Sequence, residues 1–189
     1  DMGILAGDAL LNYAFETAAT AFDEYPEKAL QIGKAMKILG NKAGIYGMLG
    51  GQVVDVKETG HAVDKDVLDF IYALKTGALL ESSMMIGATL ADADEESIAL
   101  IEKVASKVGL AFQVQDDILD VTSTAEVLGK PIHSDEKNEK TTYVTLLGID
   151  KAEKIVEKES VEAIELLKSL PVRNDYLEWL LTQLIHRKK

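Results

Sequence analysis

Apolar side chains recur three and four positions apart along almost the whole of this chain, the spacing of residues that share one face of a helix. No stretch combines period-two alternation, β-branched enrichment and hairpin turn residues, so no strand is expected. The pattern predicts helices over residues 4–22, 27–40, 42–57, 64–90, 94–121, 140–147, 150–169 and 173–187. Punctuation agrees with that division. Pro26 falls near a first helical turn, Asp64 is placed to cap a long helix, and Asp94-Glu95-Glu96 puts acids where the helix dipole favours them. Pro171 separates the last two helices. The expected fold class is all-α, in one unit without internal repeat or linker.

One predicted helix inverts the usual proportions. In the run Gly109-Leu110-Ala111-Phe112-Gln113-Val114-Gln115-Asp116-Asp117-Ile118-Leu119-Asp120, a step of about 100° per residue gathers Gln113, Asp116, Asp117 and Asp120 into one arc of roughly 100°. Apolar residues fill nearly all the rest, with Gln115 the exception. A surface helix shows a modest apolar stripe and a broad polar face, so a narrow acidic stripe on an apolar helix suggests a buried element facing a polar cavity. Three carboxylates there repel one another unless a cation joins them. Mg²⁺ takes hard oxygen ligands and is typically held by one or two carboxylates together with substrate phosphates; Asp116 and Asp120, four apart, suit that arrangement. The competing reading is a solvated acidic face, and the apolar surroundings argue against it.

Bulk properties narrow the chemistry. The 189 residues suffice for one domain with a sizeable core. With 20 Lys plus Arg against 32 Asp plus Glu, the formal charge is −12, and nucleic-acid binding through a basic face is not expected. An anionic ligand would have to be held by metal ions and a few placed lysines. The absence of cysteine excludes disulfides, thiolate zinc sites and cysteine nucleophiles. Compartment stays open, with a reducing cytoplasm as the default expectation. The longest apolar stretch, Phe70 to Leu90, carries Lys75 and Glu81, so it reads as a core helix and not a membrane span. The chain opens on Asp1-Met2-Gly3-Ile4-Leu5, which already looks like a helix interior, and a preceding segment is expected.

Further positions carry candidate chemistry. Lys75-Thr76-Gly77 interrupts an apolar helix, and a lysine there must either snorkel to water or meet an anion. Gly44, Gly47, Gly50 and Gly51 crowd the helix that bears Gln52 and Asp55. Glycine costs about 0.8–1.0 kcal/mol relative to alanine in a helix interior, so another backbone or a ligand is expected to approach closely. Asp55 then either partners a lysine or backbone donor, or touches a ligand. The segment Thr122 to Thr142 is too polar for the core and reads either as a solvated connector or as a lid beside the acidic stripe. His61, His133 and His186 lack zinc spacing, Ser82-Ser83 lacks a base, and His186-Arg187-Lys188-Lys189 reads as a cationic end to the last helix.

These pieces, in this order, resemble the trans-isoprenyl diphosphate synthases, the farnesyl and geranyl diphosphate synthase family. The matching stretches are Ile4 to Leu11, Gly47 to Asp55, Lys75 to Leu80, Phe112 to Asp120, and Gly129-Lys130 followed by Lys140-Thr141-Thr142-Tyr143. The resemblance is to the C-terminal part, because the family's first aspartate-rich motif and its arginines have no counterpart here. It implies a helical bundle around a deep central cavity, in which Mg²⁺, with Mn²⁺ as a substitute, helps ionise an allylic diphosphate that then alkylates isopentenyl diphosphate. Asp116 would be the principal metal ligand, supported directly or through water by Asp117 and Asp120. Lys75, Lys130 and Lys140 would bind diphosphate, Thr76 and Gln113 would turn oxygen dipoles towards the developing cation, and Gln52 and Asp55 would stand behind them. The resemblance further implies a short-chain product, farnesyl above all, a cytoplasmic homodimer, and no activity from these 189 residues alone. A class I terpene cyclase, or a non-catalytic helical partner of a prenyl synthase, are the alternatives.

Overall fold

The computed structural model describes residues 1–124, 126, 140–185 and 187, and among them every regular element is a helix. In chain order these are α1 (Met2–Ala19), α2 (Ala21–Glu24), a 3₁₀ turn (Pro26–Lys28), α3 (Ala29–Ala43) and α4 (Met48–Lys57). Then come α5 (Lys65–Tyr72), a π-helical turn (Ala73–Gly77), α6 (Ala78–Leu90), α7 (Glu95–Thr122), α8 (Tyr143–Leu147), α9 (Ile149–Lys168) and α10 (Asp175–Ile185).

The predicted caps operate. Asp64 accepts from the Val67 N–H at 3.0 Å and Asp94 from the Ser97 N–H at 2.7 Å, each satisfying a donor that the first helical turn leaves open. The spacing predicts one helix over 42–57, but the chain turns at residues 44–47. A Cβ on Gly47 would stand 1.9 Å from the Lys42 carbonyl oxygen, so this glycine serves the turn and not a helix–helix contact.

The long helix α7 runs through the core. Ile101, Val104, Val108, Ala111, Val114 and Ile118 are all buried, on faces covered mainly by α9 and α6. From α9, Ala152, Val156, Ala163 and Leu167 complete that packing. Each fully buried Val or Leu contributes about 1.5–3 kcal/mol relative to exposure, so the apolar surroundings of the acidic stripe are also the main source of stability. Ion pairs at the margins fix the neighbours of α7. Lys107 reaches Glu159 at 3.0 Å and also Glu162 on α9, while Lys42 at the end of α3 reaches Glu102 on α7 at 2.6 Å and Glu81 on α6. Burial works against the charge on Lys42, but the two carboxylates outweigh it and hold its pKa above the ordinary value.

The helix α1 is different. It has no buried residue, and Ile4 and Leu10 are each 70% exposed. Among the described residues no helix is long and apolar enough to cross a membrane.

Candidate active site

The π-helical turn places the first functional side chains. From Lys65 to Leu90 the backbone is continuous helix except at Ala73–Gly77, where one wider turn carries Lys75 and Thr76. Such turns are frequent at functional positions, where an extra residue redirects the side chains around it. Glycines let two helices close on this turn. A Cβ on Gly51 of α4 would lie 2.4 Å from the Lys75 backbone nitrogen, and one on Gly109 of α7 would lie 2.9 Å from the Gly77 Cα. The close approach expected of the glycine-rich helix is therefore made by Gly51, and what approaches is backbone.

Lys75 neither snorkels freely nor stands alone. Its Nζ donates to Asp55 Oδ2 at 2.6 Å, and Lys140 Nζ lies 3.1 Å from both oxygens of the same carboxylate. Of the two readings open to Asp55, the lysine partner is the one found. Burial alone would raise the Asp55 pKa, but Lys75 and then Lys140 outweigh it and hold the carboxyl below its ordinary value. Beside this cluster, the Thr76 hydroxyl donates to Gln113 Oε1 at 2.9 Å, which joins the π turn to the stripe on α7.

These groups line one cleft of about 110 Å³, with Asp55, Lys75, Thr76, Gln113, Asp117 and Lys140 on its walls. Drug-sized ligands occupy some 300–1,000 Å³, so the cleft has room for a small polar head and no long apolar tail. Gln52 is three residues before Asp55 on α4, but it does not line the cleft.

The acidic stripe divides into three environments. Asp117 is 2% exposed, and both its oxygens accept from the Tyr72 hydroxyl at 2.8 Å, while Oδ2 also accepts from the Tyr143 N–H at 2.9 Å. Those bonds make Asp117 an anchor of α5 and α8 to α7. Asp120 is buried one turn further on, at 3% exposure. Asp116 is the accessible member, with a side chain 32% exposed. Among the described residues no group of three or more His, Asp or Glu side chains is arranged to hold a metal by itself. The donor set still fits Mg²⁺ in a looser sense. Among the described residues the charged groups on the cleft wall are the carboxylates of Asp55, Glu58 and Asp117 and the ammoniums of Lys75 and Lys140, so a diphosphate held by these alone would meet no positive excess. Additional cations would supply it; Asp116 and Asp120 are not among the residues that line the cleft, but Asp116, next to Asp117 on α7, offers a hard oxygen of the kind Mg²⁺ takes alongside phosphate.

Lys130, His133 and most of the Thr122 to Thr142 segment lie outside the described residues, as do His186, Lys188 and Lys189. Sequence reasoning missed three contributors. Tyr72 is one helical turn before Lys75, a spacing that could have suggested a shared face. Tyr143 donates its hydroxyl to Asp69, and burial first, then that carboxylate, push its pKa up, so it stays a neutral donor. Arg187 donates to Asp116 Oδ1 at 3.0 Å instead of completing the last helix, and no local signal in the sequence announces that contact.

The polyprenyl synthetase family model matches residues 1–172. A chloroplastic geranylgeranyl pyrophosphate synthase from Catharanthus roseus is 44% identical over 171 residues, covering 88% of this chain and 46% of its own length. A dimethylallyltranstransferase from Fischerella ambigua is 42% identical over 167 residues, covering 86% and 48%. The crystal structure of a geranyltransferase from Helicobacter pylori, complexed with magnesium and isoprenyl diphosphate, superposes with a TM-score of 0.81 at 32% identity, covering 96% of this chain and 58% of the other. The chain thus spans about half the length of the curated relatives it matches.

Proposed function

Because the chain belongs to the polyprenyl synthetase family, we propose that it forms the diphosphate-binding half of a trans-prenyl diphosphate synthase that joins an allylic diphosphate to isopentenyl diphosphate. The observation that carries this reading is the convergence of Lys75 and Lys140 on Asp55 beside the Thr76–Gln113 pair. Two ammoniums shared by one carboxylate form a preset anchor, and a diphosphate can take over their hydrogen bonds without a large rearrangement. Bond cleavage at the allylic carbon is fast only if the leaving group's growing charge is met by fixed cations. Lys75 and Lys140 supply part of that charge, with Lys130 as a further donor in the same reading. Mg²⁺, with Mn²⁺ as a substitute, would supply the remainder as a Lewis acid held chiefly by Asp116, with Asp120 and the anchored Asp117 behind it.

Thr76 and Gln113 act on the other side of the reaction. The hydroxyl proton is committed to Gln113, so the Thr76 oxygen turns lone pairs to the cleft and stabilises positive charge there. Val63, Leu68 and Ile71 on the same wall are apolar and keep water from a reactive cation. In this reading residues 1–189 are one portion of a single helical domain that works as a homodimer, with cytoplasmic location as the simplest setting. The product is a short chain of ten to twenty carbons. Farnesyl is the expectation from sequence, whereas the Catharanthus roseus relative carries a geranylgeranyl name.

The test supplies the chain with the first aspartate-rich segment of a relative, together with Mg²⁺ and isopentenyl and dimethylallyl diphosphates. Condensation product is expected from the reconstituted protein and none from the 189 residues alone. Cyclised hydrocarbon from an allylic diphosphate alone would assign a terpene cyclase instead, and no turnover after verified reconstitution would assign a non-catalytic partner. In the reconstituted enzyme Asp116→Ala should lower turnover by about three or more orders of magnitude, since it removes a ligand for the leaving-group charge. An unchanged rate would remove the metal assignment.

A further inference from the structure

Arg187 lies two residues beyond the end of α10 and reaches back to the acidic stripe of α7. Its Nη2 donates to Asp116 Oδ1 at 3.0 Å and to the Phe112 carbonyl oxygen at 3.4 Å, while the guanidinium carbon stands 3.5 Å from the Phe112 ring centroid. The side chain is only 14% exposed, and Nη1 is buried with no hydrogen-bond partner among the described residues. Guanidinium is built for bidentate pairing with a carboxylate, yet only one of its two terminal nitrogens does so here. The contact is therefore incomplete, and it leaves a buried donor unsatisfied, which is a cost.

The stacking on Phe112 and the Phe112 carbonyl contact do not depend on Asp116. They keep the guanidinium beside the stripe whether or not the carboxylate is engaged. A divalent cation bound at Asp116 would stand within a few ångströms of the guanidinium and repel it. The two cations therefore compete for the carboxylate.

We propose that Arg187 is a positioning residue that guards Asp116, an internal guanidinium that a divalent cation must displace before it can bind. The inference rests on reading Asp116 as a cation ligand. Three consequences follow. Without metal, the exposed end of the stripe is neutralised by the chain itself, so the fold does not carry an open cluster of carboxylates. Metal binding is weakened by the free energy of the displaced pair. The displaced guanidinium, still held over Phe112, becomes available to a phosphate oxygen that arrives with the cation, so that metal and anion bind better together than apart.

Binding of Mn²⁺, with and without inorganic diphosphate, measured by the electron paramagnetic resonance signal of the free ion, tests this without turnover. The 189-residue chain is compared with Arg187→Gln, Arg187→Ala and Asp116→Asn. Both Arg187 variants are expected to bind Mn²⁺ alone about fivefold more tightly, as removal of a partly exposed ion-pair competitor predicts, and to lose part of the gain that diphosphate confers on the parent chain. Unchanged or weaker Mn²⁺ binding in both, while Asp116→Asn abolishes it, overturns the guarding role and leaves the proposed function standing. Binding that survives Asp116→Asn overturns the cation site itself. Loss of helicity by circular dichroism in both Arg187 variants also overturns the inference, since it makes Arg187 a structural clamp.

Discussion

Two carboxylates decide most of what the site can do, and they do it differently. Asp55 holds two lysines in place and is itself 14% exposed, but its partners are 35% and 29% exposed, so solvent screens the pairs. Asp55→Asn should therefore cost only about 1 kcal/mol at neutral pH. The pH dependence is more diagnostic. A carboxyl whose folded pKa is depressed contributes stability that is complete above its unfolded value near 3.9 and is lost as pH falls through the lower folded value. Denaturant midpoints followed from about pH 6 to about pH 2 should fall less steeply in Asp55→Asn than in the parent chain. An identical acid limb would mean the lysines do not act on Asp55 in solution. Asp117 is the opposite case, nearly fully buried and accepting from Tyr72 and Tyr143. Asp117→Ala strands two buried donors and should cost about 2–4 kcal/mol in urea unfolding.

At the scale of elements, the π turn and the two glycines facing it form one device. Gly51 and Gly109 let α4 and α7 approach the backbone of residues 74–77 more closely than any side chain would permit. Gly51→Ala should destabilise the chain by about 1–3 kcal/mol through overpacking and should weaken diphosphate binding by moving Lys75. Gly33 and Gly87 provide the control, because nothing lies within 4 Å of a Cβ built on either. Each lies in a helix, so alanine there should be neutral or stabilise by up to about 1 kcal/mol. Thermal unfolding of the three variants separates the effects, and equal losses at all three positions would refute a special contact at the π turn.

At the scale of the whole molecule, the core is well satisfied around α7 and poorly satisfied at α1. Leu5, Leu10 and Leu11 are more than half exposed, as is Tyr13, so this helix carries large apolar side chains that no described residue covers. Surfaces of that kind mark association. Sedimentation of the 189-residue chain should show mass rising with concentration, and lysines in place of Ile4 and Leu10 should return a monomer without loss of helicity. A parent chain that remains monomeric at high concentration would contradict this. The homodimer of the proposed function is one form such association could take.

The order of the helices, their caps at Asp64 and Asp94, the all-α class and the grouping of acids on one face were legible in the residues, because each follows from spacing within a single helix. The glycine-rich segment also announced a close approach, though not which glycine makes it. What α7 does with its acids was not legible. Asp117 meets Tyr72 and Tyr143, and Asp116 meets Arg187, across separations of up to 71 positions that no local pattern encodes. Helical periodicity determines which side chains share a face; only the packing of helix against helix decides which distant donor that face meets, and with it whether a carboxylate becomes an anchor, a lysine clamp or a place for a cation.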